Sequence, residues 1–156
     1  MYAYALGKER FTHSRKEANR LTLRESVPME ESRARMLNPL QLAYIGDGVW
    51  ELLVRTRIIY KGRSARHVHK DAVACVNAHA QAEAFRRIEP MLTEAEAGVA
   101  RRARNVKQSP PKNADAGEYH HATALEALIG YLYVTGQTER MQEILNAALP
   151  PELIGE

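Results

Sequence analysis

Only one cysteine, Cys75, occurs among the 156 residues. An intrachain disulfide is therefore excluded, and the composition suits a reducing compartment, the cytoplasm. No apolar run approaches the ~20 residues that cross a bilayer. Residues 1–20 alternate basic and polar groups without an apolar signal core. The chain reads as soluble and cytoplasmic, with no membrane partner. It also lacks an H-E-x-x-H pair, a glycine-rich phosphate loop and a dinucleotide fingerprint, so no nucleotide cofactor is expected. His67 and His69 lie on different helix faces, and the adjacent His120 and His121 cannot share an ion from one helix. With a single cysteine, zinc is not expected. Ser109 has no His or Lys arranged to activate it, so no protein nucleophile is expected. Internal repeats, low-complexity tracts and strand-type alternation are missing as well.

What remains is helical periodicity. Residues 1–36 are polar, basic and weakly periodic, and read as a flexible extension. Residues 37–150 form one all-α domain, followed by a short tail at 151–156. Asn38-Pro39-Leu40-Gln41 is a helix start, with an Asn cap and Pro at the first position. That helix runs to about Tyr60. Leu42, Ile45, Val49, Leu52, Thr56 and Ile59 form one apolar stripe, and Leu40, Tyr44, Val54 and Ile58 a second, predicting a helix buried between neighbours. Further helices begin at Ser64, at Asn77 and at the capping box Thr93-Glu94-Ala95-Glu96. A loop over residues 105–117 leads to a helix at about 118–135. A final amphipathic helix ends at Pro150-Pro151.

Inside the first long helix, Gly46-Asp47-Gly48 breaks two local rules at once. Each glycine costs roughly 1 kcal/mol relative to alanine in a helix interior, and a carboxylate among apolar residues needs a cation or a hydrogen-bond network. The later helix carries a similar lone acid and glycine, Glu126 and Gly130. Packed together, the two helices would face Asp47 with Glu126 across a crossing opened by Gly46, Gly48 and Gly130. Two facing carboxylates repel unless something positive lies between them. A hard cation, Mg²⁺ or Mn²⁺, is one answer; arginine partners, or positions at helix ends, are the other. Glu51, one turn beyond Asp47, is either a further ligand through water or an ion-pair partner for Arg55.

Charge is segregated along the chain. The net +3 resides in residues 1–36; thereafter Arg55 to Lys112 hold thirteen Lys/Arg against five Asp/Glu, and Asn113 to Glu156 hold one against seven. Such segregation points to a polyanionic partner, against the simpler reading of a solvated surface. The densest basic stretch is Arg101, Arg102, Arg104, Asn105 and Lys107, continuing to Lys112 and Asn113. These residues are candidate phosphate contacts, although cations at a helix C-terminus also compensate its dipole. Arg63, Arg66, His67, His69 and Lys70 form a second basic group.

Leu42-Ala43-Tyr44-Ile45-Gly46-Asp47-Gly48-Val49-Trp50-Glu51 resembles the signature helix of the ribonuclease III fold. Thr123-Ala124-Leu125-Glu126-Ala127-Leu128-Ile129-Gly130-Tyr131-Leu132 resembles that fold's second catalytic helix. Arg104-Asn105-Val106-Lys107, with Pro111-Lys112-Asn113, is similar to a loop of the short bacterial branch, mini-ribonuclease III. The resemblance spans about residues 37–149. It implies an all-α endonuclease domain that acts as a homodimer and hydrolyses double-stranded RNA with Mg²⁺, leaving 5′-phosphate and 3′-hydroxyl ends. It implies Asp47 and Glu126 as catalytic metal ligands. It further implies maturation of 23S ribosomal RNA precursor ends, without the double-stranded-RNA-binding domain of full-length relatives. Typical members carry a Glu four residues before the signature Asp and an Asp three before the later Glu; here those positions hold Ala43 and Thr123, as in the mini branch. Fewer carboxylates and more water are then expected around the metal, with Thr123 a candidate for orienting a water. The rival readings are a non-catalytic, ribosome-associated RNA-binding protein on the same fold, and a helical interaction module with no nucleic acid.

Overall fold

A computed structural model describes residues 27–153, in which every regular element is helical. The seven α-helices are α1 (Glu31–Met36), α2 (Pro39–Tyr60), α3 (Ala65–Val76), α4 (Ala78–Ile88), α5 (Glu94–Asn105), α6 (Ala116–Val134) and α7 (Thr138–Ala148). Most of residues 1–36, and the end of the 151–156 tail, lie outside the described residues.

Local chemistry sets most helix starts. Asn38 accepts from the Leu40 amide at 2.9 Å, and the Gln41 side chain accepts from the Asn38 amide at 3.1 Å, satisfying amides that the first turn leaves unpaired. Thr93 and Glu96 form the same reciprocal box on α5. Asn77 caps α4 through the Ala80 amide at 2.9 Å, and Asp115 caps α6 through Glu118 at 2.9 Å. Because of the Asp115 cap, α6 begins at Ala116, two residues before the expected start. Ser64 makes no such cap; its hydroxyl turns to His67 Nδ1 at 2.8 Å.

α6 is the central element. Its residues Ala122–Leu125 and Ala127–Leu132 are all buried, so it is apolar nearly all round, as a helix enclosed by others must be. α2, α4, α5 and α7 pack around it. The compact part also begins earlier than expected. Met29 N–H donates to Val134 O at 2.7 Å, and Ala34 of α1 is fully buried. Glu96 is buried too, and Arg140 of α7 bonds both its oxygens at 2.9 Å. Burial pushes the Glu96 carboxyl up, but Arg140 and then the amide and side chain of Thr93 pull it below the ordinary range.

The stripes expected on α2 need correction. Its buried line is Leu42, Ala43, Gly46, Val49, Trp50, Val54 and Ile58. Tyr44, Ile45, Leu52 and Ile59 are exposed instead, with Tyr44 at 86%. A helix apolar on several sides does not reveal by periodicity which side meets its neighbour.

Candidate active site

The site arises where α2 crosses α6 at backbone contact. A Cβ built on Gly46 would stand 1.7 Å from the Glu126 carbonyl oxygen, and one on Gly130 would stand 2.0 Å from the Leu42 carbonyl oxygen. Only glycine fits at either point. Gly48 is different: an added Cβ meets nothing within 4 Å, so Gly48 does not create the crossing.

This approach sets Asp47 and Glu126 within hydrogen-bonding reach of each other. Glu126 is partly buried, whereas Asp47 stands on the exposed rim rather than in the interior. Burial and then the neighbouring Asp47 charge raise the Glu126 carboxyl from 4.5 to about 7. Asp47 is raised as well, first by partial burial of its carboxyl and then by Glu51. Asp47 resists ionisation through burial and Glu51, and Glu126 through burial and Asp47, which makes a place where a proton or a cation is needed.

Glu51 is engaged elsewhere, accepting from Arg55 Nη2 at 2.7 Å. Thr123 is buried and also committed: its hydroxyl donates to Tyr119 O at 3.0 Å and accepts from Gln108 Nε2 at 2.9 Å. Thr123 thereby ties the loop after α5 to the α6 turn just before Glu126. Gln81 of α4 is a site residue that sequence reasoning missed. It is 3% exposed, its amide lies against Glu126 and draws that carboxyl's pKa down, yet Nε2 makes no well-formed hydrogen bond. A polar residue among Ala78, Ala82 and Phe85 on a short helix was the available signal.

The basic residues sit at the end of α5 and in the following loop. Arg101, Arg102, Asn105, Lys107, Lys112 and Asn113 are exposed. Arg104 is half-buried and reaches Glu89 at 3.5 Å. Arg101, Arg102, Lys107 and Lys112 form no ion pair among the described residues. Cations without internal partners are available to an external polyanion.

The ribonuclease III domain model matches residues 40–137, which include both helices of the acid pair and the basic loop between them. The chain belongs to the ribonuclease III family. It is accordingly an endoribonuclease. Mini-ribonuclease 3 of Symbiobacterium thermophilum is 46% identical over 114 residues, covering 72% of this chain and 88% of that protein. Mini-ribonuclease 3 of Gloeobacter violaceus is 43% identical over 118 residues, covering 76% and 87%. An X-ray structure of a Fusobacterium nucleatum protein superposes with a TM-score of 0.68 at 32% identity, covering 76% of this chain and 96% of that one. The all-α architecture is thus that of a ribonuclease III domain.

The residues present fit a hard divalent cation. The pair offers carboxylate oxygens from two helices at a spot where each resists charge. No group of three or more His, Cys, Asp or Glu stands together among the described residues. Such a donor set suits an ion that keeps several waters, as Mg²⁺ does.

Proposed function

We propose that this ribonuclease III-family enzyme cleaves double-stranded RNA with Mg²⁺, as a homodimer, in maturation of 23S ribosomal RNA precursor ends. The observation that carries the catalytic part is the Asp47–Glu126 pair, forced together by the Gly46–Gly130 crossing. Asp47 and Glu126 hold the ion. When bound, it supplies Lewis-acid stabilisation of phosphate charge and a more acidic water. Gln81, buried against Glu126, favours that carboxyl's charged form, and the Gln108–Thr123 bond ties the basic loop to α6. Arg101, Arg102, Arg104, Asn105, Lys107, Lys112 and Asn113 take the RNA backbone, reading A-form shape rather than sequence. Hydrolysis leaves 5′-phosphate and 3′-hydroxyl ends, and the cytoplasm is the place of action.

Homodimer formation finds support in α2. Tyr44, Ile45, Leu52 and Ile59 expose apolar surface on a face adjoining the acids, and a two-fold pair meeting there sets one site to each strand of a duplex. The test is cleavage of a ribosomal-precursor stem and of its separated strands, with Mg²⁺ or with chelator. Cutting of the duplex alone, and only with metal, is expected. Equal cutting of single strands, or cutting in chelator, would remove the proposal.

A further inference from the structure

Gln81 is the one polar residue among the buried positions of α4, where it stands with Ala82, Ala84, Phe85 and Ile88. It is 3% exposed, on a helix that packs against α6. Its Nε2 is closed to solvent and makes no well-formed hydrogen bond among the described residues. A buried donor left unmet costs free energy that an apolar side chain of the same length would not. Being closed to solvent, this one can be completed only from within the protein. The acceptor beside it is the Glu126 carboxyl. The donor is also neutral. A lysine or arginine in its place would bring a positive charge to rival an incoming cation; an amide orients a carboxylate without doing so.

We propose that Gln81 is a positioning residue whose Nε2–H donates to one oxygen of Glu126, so that the other is presented to the divalent cation. The inference rests on the metal-dependent reading above and deepens it: a residue that touches neither ion nor RNA sets the affinity for the ion. A glutamate carboxyl turns easily about its last bond, and a donor fixed to one oxygen removes that freedom. The effect weighs more here than in a richer site, because no third His, Cys, Asp or Glu joins the pair among the described residues. Groups that hold a metal ligand in place in this way are worth about ten- to a hundredfold in metal affinity.

The test reads the rise of Tm with added Mg²⁺ alone, on the full chain without RNA, beside the Mg²⁺ dependence of duplex cleavage. Gln81→Met keeps length and burial and removes the donor. It is expected to shift the Mg²⁺ midpoint of both curves upward by about ten- to a hundredfold, with kcat near the parent once Mg²⁺ saturates. Gln81→Asn keeps an amide but draws it back by one methylene, and is expected to weaken Mg²⁺ binding in the same direction. Phe85→Leu loosens the same face of α4 without altering the amide; it is expected to lower Tm and leave the Mg²⁺ midpoint in place. If the Met variant folds poorly, the Asn variant against Phe85→Leu decides the question. Parent Mg²⁺ affinity in the Gln81 variants, or an equal loss in Phe85→Leu, would overturn the proposal while leaving the nuclease reading intact. A parent that binds no Mg²⁺, or cleaves duplex RNA in chelator, would instead overturn the metal reading beneath it, and the proposal with it.

Discussion

Glu126 has its carboxyl raised to about 7 by burial and by Asp47, and this makes the site itself a source of pH-dependent stability. The folded state binds that proton more tightly than the unfolded chain, whose carboxyl titrates near 4.5. Between roughly pH 4.5 and 7 the unfolded chain therefore carries fewer protons, and stability falls as pH rises through that window. Asp47, also raised, acts in the same direction. Metal-free protein is expected to lose Tm as pH rises across this range, and Glu126→Gln should flatten most of the dependence. Added Mg²⁺ should raise Tm more at the top of the window than at the bottom, since the ion competes with the proton. Thermal melts followed by circular dichroism at a series of pH values check both statements; a Tm that rises with pH without metal would contradict them.

Between elements, the decisive contact is the glycine crossing of α2 and α6. Gly46→Ala must drive the helices apart or bend one, because the new carbon would overlap the Glu126 carbonyl oxygen at 1.7 Å. A loss of about 1–3 kcal/mol or more is expected in chemical denaturation. Gly48→Ala meets nothing within 4 Å and is expected to stay within about 1 kcal/mol of the parent. Equal losses for the two variants would mean that the crossing is not what holds the helices in place. Much of this level was legible in the sequence, because caps depend on neighbours in the chain. Asn38 with Gln41, and Thr93 with Glu96, form the boxes that their spacing predicts. The acid pair was legible for a related reason: a lone carboxylate beside a glycine in an apolar helix is a local anomaly. What could not be read depends on tertiary neighbours. The side of α2 that meets α6, the exposure of Asp47, the engagement of Thr123 by Gln108, and the burial of Gln81 leave no periodic trace.

At the scale of the whole molecule, the proposed function gives the exposed apolar face of α2 to a second copy and the basic loop to RNA. Leu52 is half exposed on that face, where a charge would be tolerated in a monomer but not between two copies. Leu52→Glu is expected to convert a dimer into a monomer in sedimentation velocity while preserving the helical spectrum. A parent that sediments as a monomer, or a variant that stays dimeric, would contradict the homodimer. The most direct test of the catalytic account is duplex-RNA cleavage by Asp47→Asn with saturating Mg²⁺. The substitution nearly preserves shape and removes one of the two charges proposed to hold the ion. A loss of at least about 10³-fold in kcat/KM is expected, equivalent to several kcal/mol of transition-state stabilisation, with folding intact. Cleavage at the parent rate would contradict the assignment of Asp47 and Glu126 as the catalytic pair.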